Sequence, residues 1–199
     1  MTPTLTEIAK AFARILGVTL EPGFAAEPGV GQGTSGTSGT QGTQVATVAS
    51  TAAPAPAPAP APAPVAPPLP IAFTEHASRG WHLDVTVAPS QVLDAAVLMN
   101  RLGFSLDLVT GVDWLARQEM EVVYDYLHFD SSVRVVVRTR VPRDAAEVPT
   151  VSNIFQGANW HERETHEFLG IVFDGHPNLT PLLLPEDSTF HPLRKDFVA

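Results

Sequence analysis

The residues richest in chemistry lie between 161 and 167, where the chain reads His-Glu-Arg-Glu-Thr-His-Glu. Two histidines among carboxylates suggest a metal-dependent hydrolase. A zinc helix, however, needs its histidines at i and i+4 on one face, with a glutamate beside the first to act as base. His161 and His166 stand five apart, about 140° around a helix, so their imidazoles diverge. Glu162 with His166, and Arg163 with Glu167, do stand at i, i+4. That is the spacing of ordinary helix-surface pairs, worth roughly 0.2–0.5 kcal/mol each. Trp160, Phe168 and Leu169 flank the same segment. A charged face beside an apolar stripe suits a protein–protein contact.

Downstream of Gly170 the chain loses all periodicity. Gly175, Pro177, Pro181, Pro185 and Pro192 punctuate it, around the apolar run Leu182-Leu183-Leu184 and the cluster Arg194-Lys195-Asp196. Asp174-Gly175-His176-Pro177 reads as a turn. His176 and His191 each precede a proline; either could be a ligand or an acid–base group, but a turn histidine is more often positional. A segment of this kind makes no core of its own, so it is expected to lie on something else. Arg194 fits that expectation, because a guanidinium fork suits interfacial pairing. A nucleophile elbow and a P-loop are absent from the sequence.

Several elements must position these groups. Residues 4–16 predict an amphipathic helix, with Thr4 and Glu7 at capping-box spacing, Ile8, Phe12, Ile15 and Leu16 on one face, and Gly17 as the stop. So short a helix needs a surface to dock on. Residues 21–70 change character: a Gly/Ser/Thr/Gln-rich stretch precedes an Ala-Pro repeat, expected to form a disordered linker, coil-like and then polyproline II. Residues 81–87 alternate as a strand, and 91–101 carry a helical apolar face. Strands are expected at 104–112, 120–129 and 133–141, with a tight turn at Asp130-Ser131-Ser132. A short helix is expected around 152–155. The expected domains are therefore an N-terminal helix (1–20), the linker (21–70), a folded domain (71–158) and a helix with an extended C-terminal tail (159–199). The fold class is α+β: a single mixed or antiparallel sheet with helices packed on one face.

Composition narrows the function. Net charge is −9, from 12 basic and 21 acidic residues, which argues against a nucleic-acid partner. Cysteine is absent, so disulfides and thiolate-held zinc or iron–sulfur clusters are excluded. No apolar run approaches the roughly 20 residues of a membrane span, and the N-terminus lacks a signal-peptide pattern. The chain is expected to be soluble by itself and to meet a membrane only through a partner.

Residues 162–197, from Glu-Arg-Glu-Thr-His-Glu-Phe-Leu-Gly-Ile-Val-Phe-Asp-Gly-His-Pro through Leu-Leu-Leu-Pro-Glu-Asp to His-Pro-Leu-Arg-Lys-Asp-Phe, resemble the signature of the C-type subunits of NADH-quinone oxidoreductase. This is the thirty-kilodalton-subunit family of respiratory complex I. Glu162, Arg163, Glu164, Gly170, Gly175, His176, Pro177, Pro192, Leu193, Arg194, Lys195 and Asp196 carry the likeness, with weaker echoes at Gly111-Val112-Asp113 and Ala158-Asn159-Trp160. The sequence departs at Ser188-Thr189-Phe190, where the family has a Trp and a Gly, and at Thr180-Pro181, where it has paired arginines.

The resemblance implies a non-catalytic subunit whose tail wraps the large, D-type subunit of the quinone module. That module sits in a peripheral arm on the cytoplasmic side of the bacterial inner membrane. The matched residues would be interface or tail-fixing groups. This subunit would hold no cofactor or metal, while partners carry flavin, iron–sulfur clusters and quinone, so the oxidoreductase activity would belong to the complex. Related scaffold subunits serve membrane-bound nickel–iron hydrogenases and F420-linked dehydrogenases, which remain alternatives. A stand-alone metal enzyme using His161, Glu162 and His166 is the reading from another class.

Overall fold

The computed structural model describes residues 2–20 and 70–198, which all belong to one compact unit. The expected linker, except for Pro70, lies outside the described residues.

Helix α1 spans Leu5–Leu16 and starts with the capping box its spacing predicts. The Thr4 N–H donates to Glu7 Oε2 at 2.8 Å, and the Glu7 N–H to Thr4 Oγ1 at 3.3 Å. Gly17 closes the helix in the left-handed region, φ 67°. Ile8 and Phe12 are fully buried, each worth about 1.5–3 kcal/mol of burial. Their cover is helix α3 (Val92–Arg101) with strands β1 (Ile71–Phe73) and β2 (Leu83–Thr86). The Gln91 side-chain amide donates to Ile15 O at 2.9 Å, satisfying one of the carbonyls the helix end leaves open.

After β2 and α3 come three long strands, β3 (Ser105–Trp114), β4 (Glu119–His128) and β5 (Val133–Pro142). The sheet order is β1-β2-β5-β4-β3. β2 lies parallel to β5, and the other neighbours are antiparallel. Sheet and helices together form the expected α+β architecture.

Alternation sets the two faces of the sheet. Val122, Tyr124 and Tyr126 on β4, with Val135 and Val137 on β5, point into the core. The opposite face carries a ladder of ion pairs: Arg134 with Asp107 and Asp125, Arg138 with Asp84, and Arg140 with Glu121. Arg138 also lies 5.3 Å from the centre of the Trp81 ring.

Among the described residues, three short strands and a one-turn α-helix have no counterpart in the sequence reading. They are β1, the one-turn helix α2 (His76–Arg79), and strands β6 (Glu147–Pro149) and β7 (Val172–Asp174). β6 and β7 pair in parallel as a second, two-stranded sheet. The helix expected around 152–155 is instead a turn, in which the Ile154 and Phe155 N–H groups share Val151 O at 2.9 Å. It leads into helix α4 (Ala158–Leu169).

Candidate docking site

α4 is laid on β3 through Gly111. A Cβ at that position would sit 3.0 Å from Ile171 Cδ1 and Thr165 Cγ2, and closer still to Leu169. A larger residue would have to push these side chains aside, so the glycine lets the helix lie close on the strand. Glu162 is fully buried and Glu167 nearly so, and neither stands on the helix as a solvated surface charge. The i, i+4 partners do not meet each other; each charged group is bound by chain elsewhere.

Glu162 turns toward the loop after β6. Its carboxylate accepts from the Thr150 hydroxyl and from the Val151 N–H at 2.8 Å. β6–β7 pairing holds that loop, since the Thr150 N–H donates to Asp174 O at 2.9 Å. Burial pushes the Glu162 carboxyl up to about 7, against the two donors that favour its charge. His176 Nε2 lies 3.9 Å from this carboxylate. The His176 ring is fixed by its own bonds: Nδ1 accepts from the Asn178 N–H at 3.1 Å, and the Nε2–H donates to Asn159 O at 3.3 Å. Burial lowers its pKa. Gly175, in the left-handed region at φ 77°, makes the turn into His176, and Pro177 is exposed beside it.

Arg163 and Glu167 clasp the tail. The Arg163 guanidinium donates to Thr180 O at 2.9 Å and Pro181 O at 2.8 Å. Thr180-Pro181, where the sequence departs from the family pattern, therefore supplies acceptors for Arg163. The Glu167 carboxylate accepts three successive backbone N–H groups: Leu182 at 2.8 Å, Leu183 at 3.0 Å and Leu184 at 3.0 Å. Burial alone would raise this carboxyl, but the three donors outweigh it and hold the pKa below the ordinary value.

The end of the tail caps α4. His191 Nδ1–H donates to Glu167 O at 2.8 Å, the Leu193 N–H to Phe168 O at 3.1 Å, and Arg194 Nε–H to Leu169 O at 2.7 Å. These donors satisfy the carbonyls that every helix C-terminus leaves open. Gly170 is required there twice. Its φ is 77°, and a Cβ would run into the Arg194 guanidinium and the His191 ring. Pro192 is half-buried between these contacts.

Further along, the Lys195 N–H donates to Asp113 Oδ2 at 2.8 Å, while Arg143 holds Asp113 with two bonds and also reaches Asp196. Hydrogen bonds from Arg143, helped by the Lys195 N–H, keep the Asp113 carboxyl low despite burial. Asp113, Arg143, Thr150 and Glu167 were not singled out from sequence as site residues. The available signal was Asp113 itself, a charge in an inward-facing strand position.

The outer side of this region is apolar. Leu183, Leu193 and Trp160 are 65%, 59% and 60% exposed, and Phe190, Phe197 and Val198 are exposed as well. Phe190 and Phe197 stack on each other at 5.6 Å. Glu164 is exposed and has no ion pair among the described residues. Among those residues, no three His, Asp or Glu side chains converge as a metal-ligand set, and His166 is turned to Ile171 O at 2.8 Å. Also among them, no helix is long and apolar enough to cross a membrane.

Residues 85–199 match the family described as respiratory-chain NADH dehydrogenase, 30 Kd subunit. The chain is 46% identical over 90 residues to the C-type subunit of the F(420)H(2) dehydrogenase of Methanosarcina mazei, covering 45% of this chain and 57% of that one. It is 39% identical over 134 residues to the C-type subunit of the NADH-quinone oxidoreductase of Roseiflexus sp., covering 64% and 76%. It is also 36% identical over 141 residues to the C/D-type subunit of the Citrobacter koseri enzyme, where the match spans only 24% of that longer chain. A chain in the membrane-bound sulfane sulfur reductase, an archaeal respiratory membrane complex, superimposes with a TM-score of 0.56 at 30% identity, covering 61% of this chain and 74% of that one. The matched span contains α4, both clasps and the whole tail, and the chain belongs to the 30 Kd-subunit family of respiratory-chain NADH dehydrogenases.

Proposed function

We propose that the chain is a non-catalytic structural subunit of a proton-translocating NADH:quinone oxidoreductase. It sits in the peripheral arm, on the cytoplasmic side of the bacterial inner membrane, and docks on the large D-type subunit through the outer side of α4 and the tail. The observation that carries this is the two-sidedness of the tail. Polar groups of α4 bind its backbone on the inner side, while Leu183, Leu193 and the stacked pair Phe190 and Phe197 remain exposed among the described residues. A monomer gains nothing by exposing aligned leucines and aromatics, whereas a partner buries them. The C/D-type relatives support this choice of partner, since in them a segment like this chain is part of a much longer protein. Flavin, iron–sulfur clusters and quinone belong to the partner subunits, and this chain orders the surface on which the quinone module is assembled.

The likeness to the F(420)H(2) dehydrogenase chain favours one other reading, in which the same scaffold serves a complex with a different electron donor. Purification of the native complex through a tag on this chain separates the two. Recovery of a large D-type subunit with a flavin-bearing NADH-oxidising module is expected. A donor module using a deazaflavin, or a nickel–iron partner, would move the chain to the second reading. Stoichiometric flavin or metal on the isolated chain would contradict both.

A further inference from the structure

β3 ends the five-stranded sheet, and among the described residues no strand lies on its outer side. Its ladder with β4 runs without a break from Leu108 to Trp114. In an antiparallel strand, alternate residues turn both their N–H and C=O to the same side. Every second residue of this stretch therefore offers a donor and an acceptor that the sheet leaves unused. Sheets normally guard such an edge with a bulge, a proline, a lysine or an inward charge. Here the bulge lies upstream, between Leu106 and Leu108. The stretch Leu-Val-Thr-Gly-Val-Asp-Trp has no proline and no lysine. Its single charge, Asp113, is already taken by Arg143 and the Lys195 N–H.

A groove of about 120 Å³ runs beside this edge, between Leu108–Gly111 and the Glu164 and Phe168 positions of α4, with Leu193 of the tail at its border. Leu108 and Leu193 give it exposed apolar walls, and unpaired Glu164 stands at its side. Because Leu193 also belongs to the apolar ridge of the tail, the groove continues the proposed docking surface.

We propose that the β3 edge takes an extended segment of the partner subunit as a sixth strand, with apolar side chains in the groove and a basic side chain facing Glu164. Main-chain bonds would supply the attachment, and the groove the register. This rests on the reading of the chain as a docking subunit.

The test is amide hydrogen exchange on the full chain, alone and in its purified complex with the D-type subunit, followed at residues 108–114 and 182–198. In the complex the outward β3 amides are expected to slow by more than about tenfold, the effect of roughly one sheltered hydrogen bond each. Tail protection with unchanged β3 amides would overturn the added strand and leave the proposed function standing. No protection in either segment would overturn both. Slow outward amides in the isolated chain would also overturn the proposal, since residues 21–69 or a second copy would then cover the edge. A second arm uses Glu164→Lys, at an exposed side chain with no hydrogen bond or ion pair among the described residues. It is expected to weaken the complex about tenfold by opposing a basic partner residue; unchanged affinity would overturn the charge pairing.

Discussion

Glu167→Gln is the sharpest perturbation of the tail. The carboxylate accepts three consecutive N–H groups within 3.0 Å and is almost wholly buried. A hydrogen bond to a charged acceptor contributes about 1.5–3 kcal/mol. The three share one group and do not add in full. All three bond Oε2, so glutamine can keep them on its one oxygen, but it loses the charge and sets an NH2 where Oε1 takes a second contact from the Leu183 N–H at 3.1 Å. A net loss of about 2 kcal/mol follows, which corresponds to roughly 30-fold faster exchange of the 182–184 amides through local opening. Thermal unfolding of the domain should move little, since β3–β5 are untouched. The depressed carboxyl also sets a direction in pH. Its stabilisation is complete above the unfolded value of 4.5 and is lost as pH falls through the lower folded value. Protection factors of these amides should therefore drop on acidification in the parent chain and stay flat in the variant. Less than threefold faster exchange, or loss of the whole fold, would refute the clasp.

Other outcomes follow from the same contacts. Gly111→Ala forces a Cβ against Leu169, Ile171 and Thr165 and should cost about 1–3 kcal/mol in denaturant unfolding. Arg143→Ala leaves buried Asp113 without its cation and should cost about 3–5 kcal/mol by the same assay. Glu162 has its folded pKa raised from 4.5 to about 7, so the folded state holds the extra proton and stability falls as pH rises through that window, by up to about 3 kcal/mol. Glu162→Gln should remove that slope between pH 5 and pH 8, measured by urea titration.

The capping box of α1, the three long strands and the turn at 130–132 were legible because each is written in local spacing. β1, β6 and β7 were not, because three residues carry no period and their partners lie elsewhere in the chain. The parallel seating of β2 beside β5 is likewise a long-range choice. At the site, helical spacing alone did not show which charges of α4 are buried. Glu162 and Glu167 look like surface charges on a helical wheel. Their burial depends on donors 11 to 17 residues away, in the Thr150 loop and the tail. A helical wheel shows neither.

In the proposed role the tail is fixed from within and docks outward. The most direct measurement is the amount of large D-type subunit that co-purifies with a tagged Leu183→Asp/Leu193→Asp chain. Both side chains are mostly exposed, so the domain should fold and unfold as before. Co-purification should be lost while the 182–184 amides remain protected; full recovery of the large subunit would mean that the tail does not dock.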